Sequence, residues 1–338
     1  MAPPLAVLLL IALLLAGGCL HNGEPATRAA IGESTAGARL VERQAPGPPR
    51  YIQLSAGFLH TCAIDLRGTP TCWGTSSQGS TRAPTITATA ISAGLFHSCA
   101  VEEEGTLYCW GADNHGQASP PAGYFIDLGT GAAHSCALAI DGSLRCWGSN
   151  DFSQLDAPRG SFQALAIGAG HGCALNPEGE IHCWGDDQHG QASPPAGSFQ
   201  ALSAGTAHTC ALDLDGLPHC WGNDHYRQSS PPKESFTAIS AGAAHTCALD
   251  REGTPHCWGL PDPRIEAQVG PFSLIDAGHS HTCALDHDGR LACWSSHGPG
   301  EASSRRRATR RGARSAPLPP DPPQDSPSPV DPSASTLQ

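Results

Sequence analysis

The chain has 338 residues, and its 31 acidic side chains outnumber its 19 basic ones, so the formal net charge is −12 at pH 7. The imbalance is larger within residues 50–302, which hold 10 Lys or Arg against 25 Asp or Glu. A domain with this charge repels phosphate backbones. We therefore do not expect the folded part of the chain to bind nucleic acid.

The N-terminus has the pattern of an export signal. Leu5 to Ala16 form an unbroken apolar run of 12 residues, which is too short to span a bilayer but suits a signal peptide. We predict that residues 1–18 are this signal peptide. The small residues Gly17 and Gly18 precede Cys19, and this arrangement resembles the lipobox of bacterial lipoproteins, whose cysteine carries lipid.

The lipobox resemblance implies a lipid anchor at Cys19 and a location in the bacterial cell envelope. Free secretion is the alternative, because Met1 to Leu5 contain no Lys or Arg, which a signal peptide normally carries there. In both cases the chain leaves the cytosol, and its membrane contact is limited to the anchor.

The segments that flank the central domain are predicted to remain unfolded. Residues 19–49 mix Gly, Pro, Ala and charges without an apolar period and are predicted to be a flexible tether. Residues 303–338 are rich in Arg and then in Pro, a composition that is typical of disorder. An electrostatic arm that touches nucleic acid or an acidic polymer is the alternative for the arginines: Arg305, Arg306, Arg307, Arg310, Arg311 and Arg314.

One pattern occurs seven times between these segments: a small residue, Gly, two variable residues, His-x-Cys-Ala, a turn, and Cys-Trp. The first cysteines are 37 residues apart five times and 36 residues apart the last time. All seven tryptophans of the chain follow the second cysteine of a repeat. The paired cysteines are Cys62 with Cys72, Cys99 with Cys109, Cys136 with Cys146, Cys173 with Cys183, Cys210 with Cys220, Cys247 with Cys257 and Cys283 with Cys293.

Each pair of cysteines flanks a β-hairpin signal. A glycine closes a three-residue loop such as Leu66-Arg67-Gly68, where it takes a positive φ angle. Counting outward from this loop pairs residue 65 with 69 and finally Cys62 with Cys72, so the two thiols face each other. In an exported chain, opposed thiols predict a disulfide.

The repeat predicts an all-β fold, a closed seven-bladed β-propeller with one disulfide-stapled hairpin per repeat. Each period of about 37 residues has room for four short strands, as in a propeller blade. An open array would need polar terminal repeats, yet the first and last repeats are as regular as the others. Because little strand-forming sequence follows Trp294, we expect the strand Tyr51 to Leu54 to complete the seventh blade.

The motifs from Ser203 to Gly222 and from Ser240 to Gly259 resemble the repeat of the regulator of chromosome condensation family. The resemblance spans residues 51 to about 295 and implies a seven-bladed propeller. It leaves function open, because the family includes a nuclear guanine-nucleotide exchange factor, domains of ubiquitin ligases and secreted bacterial inhibitors of β-lactamase.

A zinc site is the alternative to a disulfide in each repeat. His60, Cys62 and Cys72 and their equivalents place three possible zinc ligands on one strand face. We favour the disulfide with a packed histidine, because the exported chain has 14 paired cysteines beyond Cys19. Every His, Cys and Trp of the motif recurs seven times, so the sequence shows no catalytic constellation, and we expect no enzyme activity and no cofactor.

Two weaker metal signals also have simpler explanations. The Asp-x-Asp-Gly steps at Asp213 and Asp286 resemble the start of a calcium loop, but they lie in hairpin turns without further oxygen ligands. Three histidines of adjacent repeats could form a metal stripe, although a solvated strand edge explains them as well. These histidines are His182, His219 and His256.

The sequence therefore predicts a non-enzymatic, monomeric module that binds a protein or polymer through a loop face. An inhibitor of an exported enzyme, as in the β-lactamase inhibitors, is the alternative, and a guanine-nucleotide-exchange regulator is a third. The two residues between the motif Gly and His are small or polar in five repeats, but they are Phe58-Leu59 and Leu95-Phe96 in the first two. These four side chains are the predicted binding patch. They could instead fill a gap between the first two blades.

Overall fold

The computed structural model describes residues 48–260 and 270–295, and within them the secondary structure consists of 21 β-strands. They form seven antiparallel sheets of three strands, and each repeat contributes one sheet, or blade. The inner strands are β1 (Tyr51–Ala56), β4 (Ala88–Ala93), β7 (Phe125–Thr130), β10 (Ala164–Ile167), β13 (Phe199–Ala204), β16 (Ala238–Ala241) and β19 (Phe272–Ala277).

Each inner strand is followed by a middle and an outer strand. The middle strands are β2 (His60–Asp65), β5 (His97–Glu102), β8 (His134–Ala139), β11 (His171–Leu175), β14 (His208–Asp213), β17 (His245–Leu249) and β20 (His281–Asp286). The outer strands are β3 (Pro70–Gly74), β6 (Leu107–Gly111), β9 (Leu144–Gly148), β12 (Ile181–Gly185), β15 (Pro218–Gly222), β18 (Pro255–Gly259) and β21 (Leu291–Ser295).

The hairpin register predicted from the sequence is confirmed. In the first blade Cys62 lies opposite Cys72, and the amide of Asp65 donates to the carbonyl of Thr69 over 3.1 Å. The glycine that closes each of these hairpins has a φ between +75° and +88°, a region that residues with a Cβ rarely adopt.

All seven predicted disulfides are present, and each joins the middle strand of a blade to its outer strand. The two cysteines of every bridge are 10 residues apart in the sequence. The first cysteine of each pair is fully buried, whereas the second lies on the outer strand and is half-buried. The bridges are Cys62 to Cys72, Cys99 to Cys109, Cys136 to Cys146, Cys173 to Cys183, Cys210 to Cys220, Cys247 to Cys257 and Cys283 to Cys293.

The hydrophobic core lies between neighbouring blades. In one typical cluster, Cys210 and Leu212 of the fifth blade pack against Phe236, Ile239 and Ala248 of the sixth. The middle strands are buried on both faces because a blade covers each side. A single blade therefore cannot bury its apolar residues alone, and the stability of every blade depends on the two blades beside it.

The ring closes between the seventh and first blades through the same contacts that join the others. Tyr51 and Leu54 pack against Cys283 and Leu285 in one core cluster. The amide of Tyr51 donates to the carbonyl of Gly289 over 2.8 Å. The predicted closed propeller is thereby confirmed.

Two details of the predicted topology are wrong. The structure gives three strands per blade in the described residues, not four, because the segments after the tryptophans fold into turns held by side chains. Asp113, for example, accepts hydrogen bonds from the amide of Ala118 and the hydroxyl of Ser119. The strand at Tyr51 belongs to the first blade, where it pairs with β2, and it closes the ring by packing rather than by completing the seventh sheet.

Several predictions concern residues outside the described ranges. The signal peptide at 1–18, the lipid anchor at Cys19, the tether up to residue 47 and the tail at 303–338 all remain predictions. The part of the chain that the structure describes contains no helix that is long and apolar enough to cross a bilayer.

Candidate functional site

The propeller has two faces and a central channel. The hairpin turns between middle and outer strands lie on one face, together with the start of each inner strand, as shown by the bond from the amide of Leu66 to the carbonyl of Arg50. We call this the hairpin face. The turns between inner and middle strands lie on the opposite face, and there the amide of Thr75 donates to the carbonyl of Leu59. We call this the mouth face.

The mouth face has a shallow cavity of about 120 Å³ on the propeller axis. The first variable residue of each repeat forms the rim of this mouth: Phe58, Leu95, Ala132, Ala169, Thr206, Ala243 and His279. The rim is held by backbone bonds between neighbouring blades, such as those from Phe58 to Gly94 and from His279 to Gly57, both 3.1 Å long. The loops that carry the variable side chains are therefore anchored to the whole ring.

The four residues of the predicted patch all lie on the mouth face and are partly exposed. Phe58 and Leu95 line the mouth itself. The rings of Phe58 and Phe96 make an edge contact, with centroids 6.1 Å apart. His279 of the seventh blade, which the sequence did not indicate, contacts Phe58 with ring centroids 3.9 Å apart and the ring planes inclined by 45°. The aromatic surface thus spans the closure of the ring.

Beneath the mouth face, the motif His-Ser/Thr-Cys of one blade is hydrogen-bonded to the same motif of the next blade. In six of the seven blades, the histidine Nε2 lies 2.8 to 2.9 Å from the hydroxyl of a serine or threonine in the next blade. The hydroxyl of Thr209, for example, donates to the carbonyl of Gln191 over 2.9 Å. Its single proton is used there, so it accepts from Nε2 of His171.

Burial lowers the pKa of His60 to about 4 and the pKa of His208 to about 3, because a buried imidazolium loses its hydration. These two histidines are therefore neutral at physiological pH. The motif glycine makes room for the ring. A Cβ on Gly131 would lie only 2.4 Å from Cε1 of His134. The glycine and the histidine of the motif Gly-x-x-His therefore pack as one unit.

The turns after the tryptophans present further aromatic residues on the mouth face. In four blades the side chain of a buried glutamine accepts a hydrogen bond from the backbone of the residue two positions earlier. That residue is His115, Phe152, His189 or Tyr226, and its side chain is exposed. These four positions are not among the binding residues predicted from the sequence. The recurrent glutamine is the signal that could have located the aromatic positions.

A ring of seven small residues, five of them polar, lines the channel below the mouth. The channel has a volume of about 310 Å³. The seven equivalent positions hold Ser55, Ser92, Gly129, Ala166, Ser203, Ser240 and Asp276. Each serine accepts a hydrogen bond from a backbone amide of the next blade over 2.9 to 3.0 Å. Asp276 does the same at the closure, where its Oδ2 accepts from the amide of Ala56 over 2.7 Å.

Within the described residues, the side chains considered as metal ligands have other bonding partners. The sulfur atoms of Cys62 and Cys72 are bonded to each other, so they are not zinc ligands. Oδ1 of Asp213 accepts hydrogen bonds from two amides of its own turn, and Oδ2 lies 2.9 Å from His219. No group of three or more His, Cys, Asp or Glu side chains in residues 48–260 and 270–295 is arranged to hold a metal ion.

The three strand-edge histidines each face a carboxylate on their own blade. The distances are 2.9 Å from His219 to Asp213, 2.9 Å from His256 to Asp250 and 3.9 Å from His182 to Glu180. Each also packs edge-on or tilted against a phenylalanine. These local pairs explain why the residues recur without a shared ligand.

The fold is similar to that of several solved structures. The ectodomain of the Physcomitrella patens receptor kinase CR4 matches with a TM-score of 0.63 at 24% identity, over 73% of this chain and 74% of that one. The CRINKLY ectodomain of the Arabidopsis thaliana receptor kinase ACR4 matches with a TM-score of 0.61 at 21% identity, over 73% and 98%. Prp20p from Saccharomyces cerevisiae matches with a TM-score of 0.59 at 16% identity, over 68% and 80%. At these identities the likeness shows the fold alone.

Sequence comparison identifies the repeat itself. No curated protein matches the chain. The family model of the regulator of chromosome condensation (RCC1) repeat matches residues 88–117, 125–154, 162–191 and 236–262. These segments contain the motif His, both cysteines and the tryptophan of their blades. The chain is therefore an RCC1-repeat protein with a disulfide in each of its seven blades.

Proposed function

We propose that this protein is an exported, non-enzymatic binding module that recognises a protein or polymer through the mouth face. The observation that carries the proposal is the apolar patch of Phe58, Leu59, Leu95 and Phe96. Its side chains are partly exposed, and the two phenylalanine rings contact each other, on a domain that is otherwise strongly acidic. Clustered aromatic residues on a rigid surface are typical anchors of protein interfaces.

Three features support export. Disulfides persist in oxidising compartments, and this domain has one in every blade. The apolar run from Leu5 to Ala16 suits a signal peptide. Two of the similar structures are ectodomains of receptor kinases, which fits an extracellular setting. We further propose that Cys19 carries lipid and attaches the module to the bacterial cell envelope.

The patch is tested with the double variant Phe58→Ser with Phe96→Ser. The full chain is used as bait on intact cells of its source, and captured material is cross-linked and quantified. We expect the double variant to lose capture and to keep the melting profile of the unchanged protein, because both side chains lie at a surface. The matched control is Tyr124→Ser with Ile140→Ser, which removes two exposed apolar side chains from the hairpin face.

The two variants separate binding from folding. Capture at full yield by the double variant would contradict the proposed surface. Loss of capture by the control variant would place the binding site on the hairpin face. If the double variant has a lower melting temperature than the control, the four side chains are packing residues that fill the gap between the first two blades.

The anchor is tested independently with Cys19→Ser. A lipid-modified cysteine partitions the protein into the detergent phase of a Triton X-114 separation. We expect the variant to move to the aqueous phase. If the distribution is the same for both proteins, the module is secreted without an anchor.

A further inference from the structure

The mouth and the channel adjoin each other on the propeller axis. Seven small or medium-sized side chains line both cavities: Ala56, Ala93, Thr130, Ile167, Ala204, Ala241 and Ala277. Above this ring lie the rim residues, and below it lies the ring of channel serines. A group that enters the mouth therefore passes from an apolar rim to a polar wall.

The polar wall is asymmetric because of one residue. At the position where four blades have serine, the seventh blade has Asp276. Among the described residues that line the channel, Asp276 is the ionisable one. Its Oδ2 accepts from the amide of Ala56 and its Oδ1 from the hydroxyl of Ser240, which lies 2.8 Å away. A serine would supply the acceptor for Ala56, so the charge is not needed for that bond.

Asp276 lies on the same side of the axis as the contacting rings of Phe58 and His279. Ala56, which donates to Asp276, is two residues before Phe58, and Asp276 is three residues before His279. Three residues of fully extended chain span at most about 10 Å. The junction of the seventh and first blades thus combines an aromatic rim with a carboxylate no more than about 10 Å below it along the chain.

We propose that the mouth receives a lysine or arginine side chain of the partner, with its stem against the rim and its cationic end directed towards Asp276. This inference rests on the proposed function and names the chemistry of the partner at that surface. Long basic side chains pack their methylene groups on apolar surface while the charged end reaches a polar environment. Phe58 and His279 provide the rim that contacts the stem.

Charge favours a basic occupant over the other classes. The surrounding domain has 25 acidic and 10 basic side chains, which attracts cations and repels phosphates and carboxylates. A carboxylate in a narrow channel is weakly screened, so its attraction for a cation exceeds that of a surface carboxylate. A wholly apolar occupant would leave this carboxylate without a counter-charge.

The test uses a panel of short peptides as probes of the full chain. Each has the sequence acetyl-Trp-Gly-X-Gly-amide, where X is arginine, lysine, citrulline or norleucine. Citrulline keeps the shape and hydrogen-bonding groups of arginine but has no charge. Binding is followed by NMR chemical-shift changes of the motif glycine amides around the mouth. We expect the dissociation constant of the arginine peptide to be lower than that of the citrulline peptide by a factor of about ten or more.

The variant Asp276→Ser is the discriminating measurement. Serine occurs at this position in four other blades, where it binds the amide of the next blade, so the variant should fold. We expect the difference between the arginine and citrulline peptides to disappear in it. The control variant Asp215→Ser removes an exposed carboxylate from the hairpin face and should leave the difference unchanged.

The remaining outcomes overturn the inference in distinguishable ways. If norleucine binds as tightly as arginine, the occupant is apolar and the role of Asp276 is structural. If the probes bind only after the six tail arginines are changed to serine, the occupant is the chain's own segment 305–314. If Phe58→Ser with Phe96→Ser abolishes capture on cells while Asp276→Ser changes no peptide affinity, the proposed function stands and the basic-side-chain inference fails.

Discussion

A single hydroxyl group joins most of the buried motif histidines to the next blade. Six of the seven histidines bond to a serine or threonine across a blade junction, and the seventh is His134. His134 has no such partner because Gly172 stands where the other blades have the hydroxyl. A Cβ on Gly172 would lie 2.4 Å from the ring of Trp184. The tryptophan of that blade therefore occupies the space of the missing side chain.

We expect Thr209→Val to destabilise the domain by about 2 kcal/mol, because it leaves Nε2 of His171 buried without a partner and removes one of the two hydrogen bonds to the carbonyl of Gln191. The change conserves shape, so a cavity does not contribute. Urea unfolding with the disulfides intact measures the difference. Thr206→Val is the matched control, since its side chain is exposed at the mouth. Equal midpoints for the two variants would contradict the role of the hydroxyl.

Sequence reasoning located part of the candidate site. Phe58 and Phe96 stood out because bulky residues interrupt a position that is otherwise small, and the structure brings their rings together. His279 and Asp276 did not stand out, because one histidine or aspartate in a variable position has no period to reveal it. Their importance depends on the closure of the ring, which places the last repeat beside the first.

At the level of the strand, the sequence predicts the register of the hairpins but not the number of strands in each blade. A glycine at a fixed distance from two cysteines determines the register residue by residue, as the pairing of Cys62 with Cys72 shows. The number of strands depends on whether the segments after the tryptophans pair with a neighbour. Side chains such as Asp113 bond to backbone amides there, and period and composition do not distinguish such a turn from a short outer strand.

The channel serines join inner strands of neighbouring blades, and two blades lack this bond. Gly129 is required because a Cβ would lie 2.6 Å from Cγ1 of Ile167, but Ala166 has no such restriction. We expect Ala166→Ser to stabilise the domain by about 1 kcal/mol, since its hydroxyl would accept from the amide of Ala204. Ser203→Ala should lower the stability by a similar amount, because it removes the existing bond to Ala241. The urea midpoint should rise in Ala166→Ser and fall in Ser203→Ala, and shifts in the same direction would contradict this role of the serines.

The whole ring unfolds as one unit if every junction, including the closure, contributes to its stability. Deleting residues 51–54 removes Tyr51 and Leu54 from the cluster that joins the seventh and first blades. We expect a single melting transition at a much lower temperature, or no folding, rather than the loss of one blade. Deleting residues 335–338 is the control of equal length. A melting profile that is the same for both deletions would refute the closure.

The stability of the ring should depend steeply on pH. Burial lowers the pKa of six motif histidines to about 3 or 4: His60, His97, His134, His171, His208 and His281. Unfolded histidines bind protons near pH 6.5. Their stabilising contribution is therefore complete above about pH 6.5 and is lost as the pH falls towards about 4.

Two buried carboxyl groups act in the opposite direction. Burial raises the pKa of Asp127 and Asp276 to about 6, so their contribution is complete below about pH 3.8 and is lost as the pH rises through about 6. Six histidines outweigh two aspartates, and we expect the urea midpoint to decrease continuously from about pH 7 to about pH 4.5. A constant midpoint over this range would contradict the burial of neutral histidines.

The chain enters the propeller on one face and leaves it from the other. Arg50 lies beside the hairpin turn at Leu66, whereas Ser295 ends the last strand opposite His281, next to the mouth. The described chain therefore begins at the hairpin face and ends at the mouth face. A fluorescent protein fused after residue 295 would sit beside the aromatic patch and hinder access, while one inserted into the tether would not.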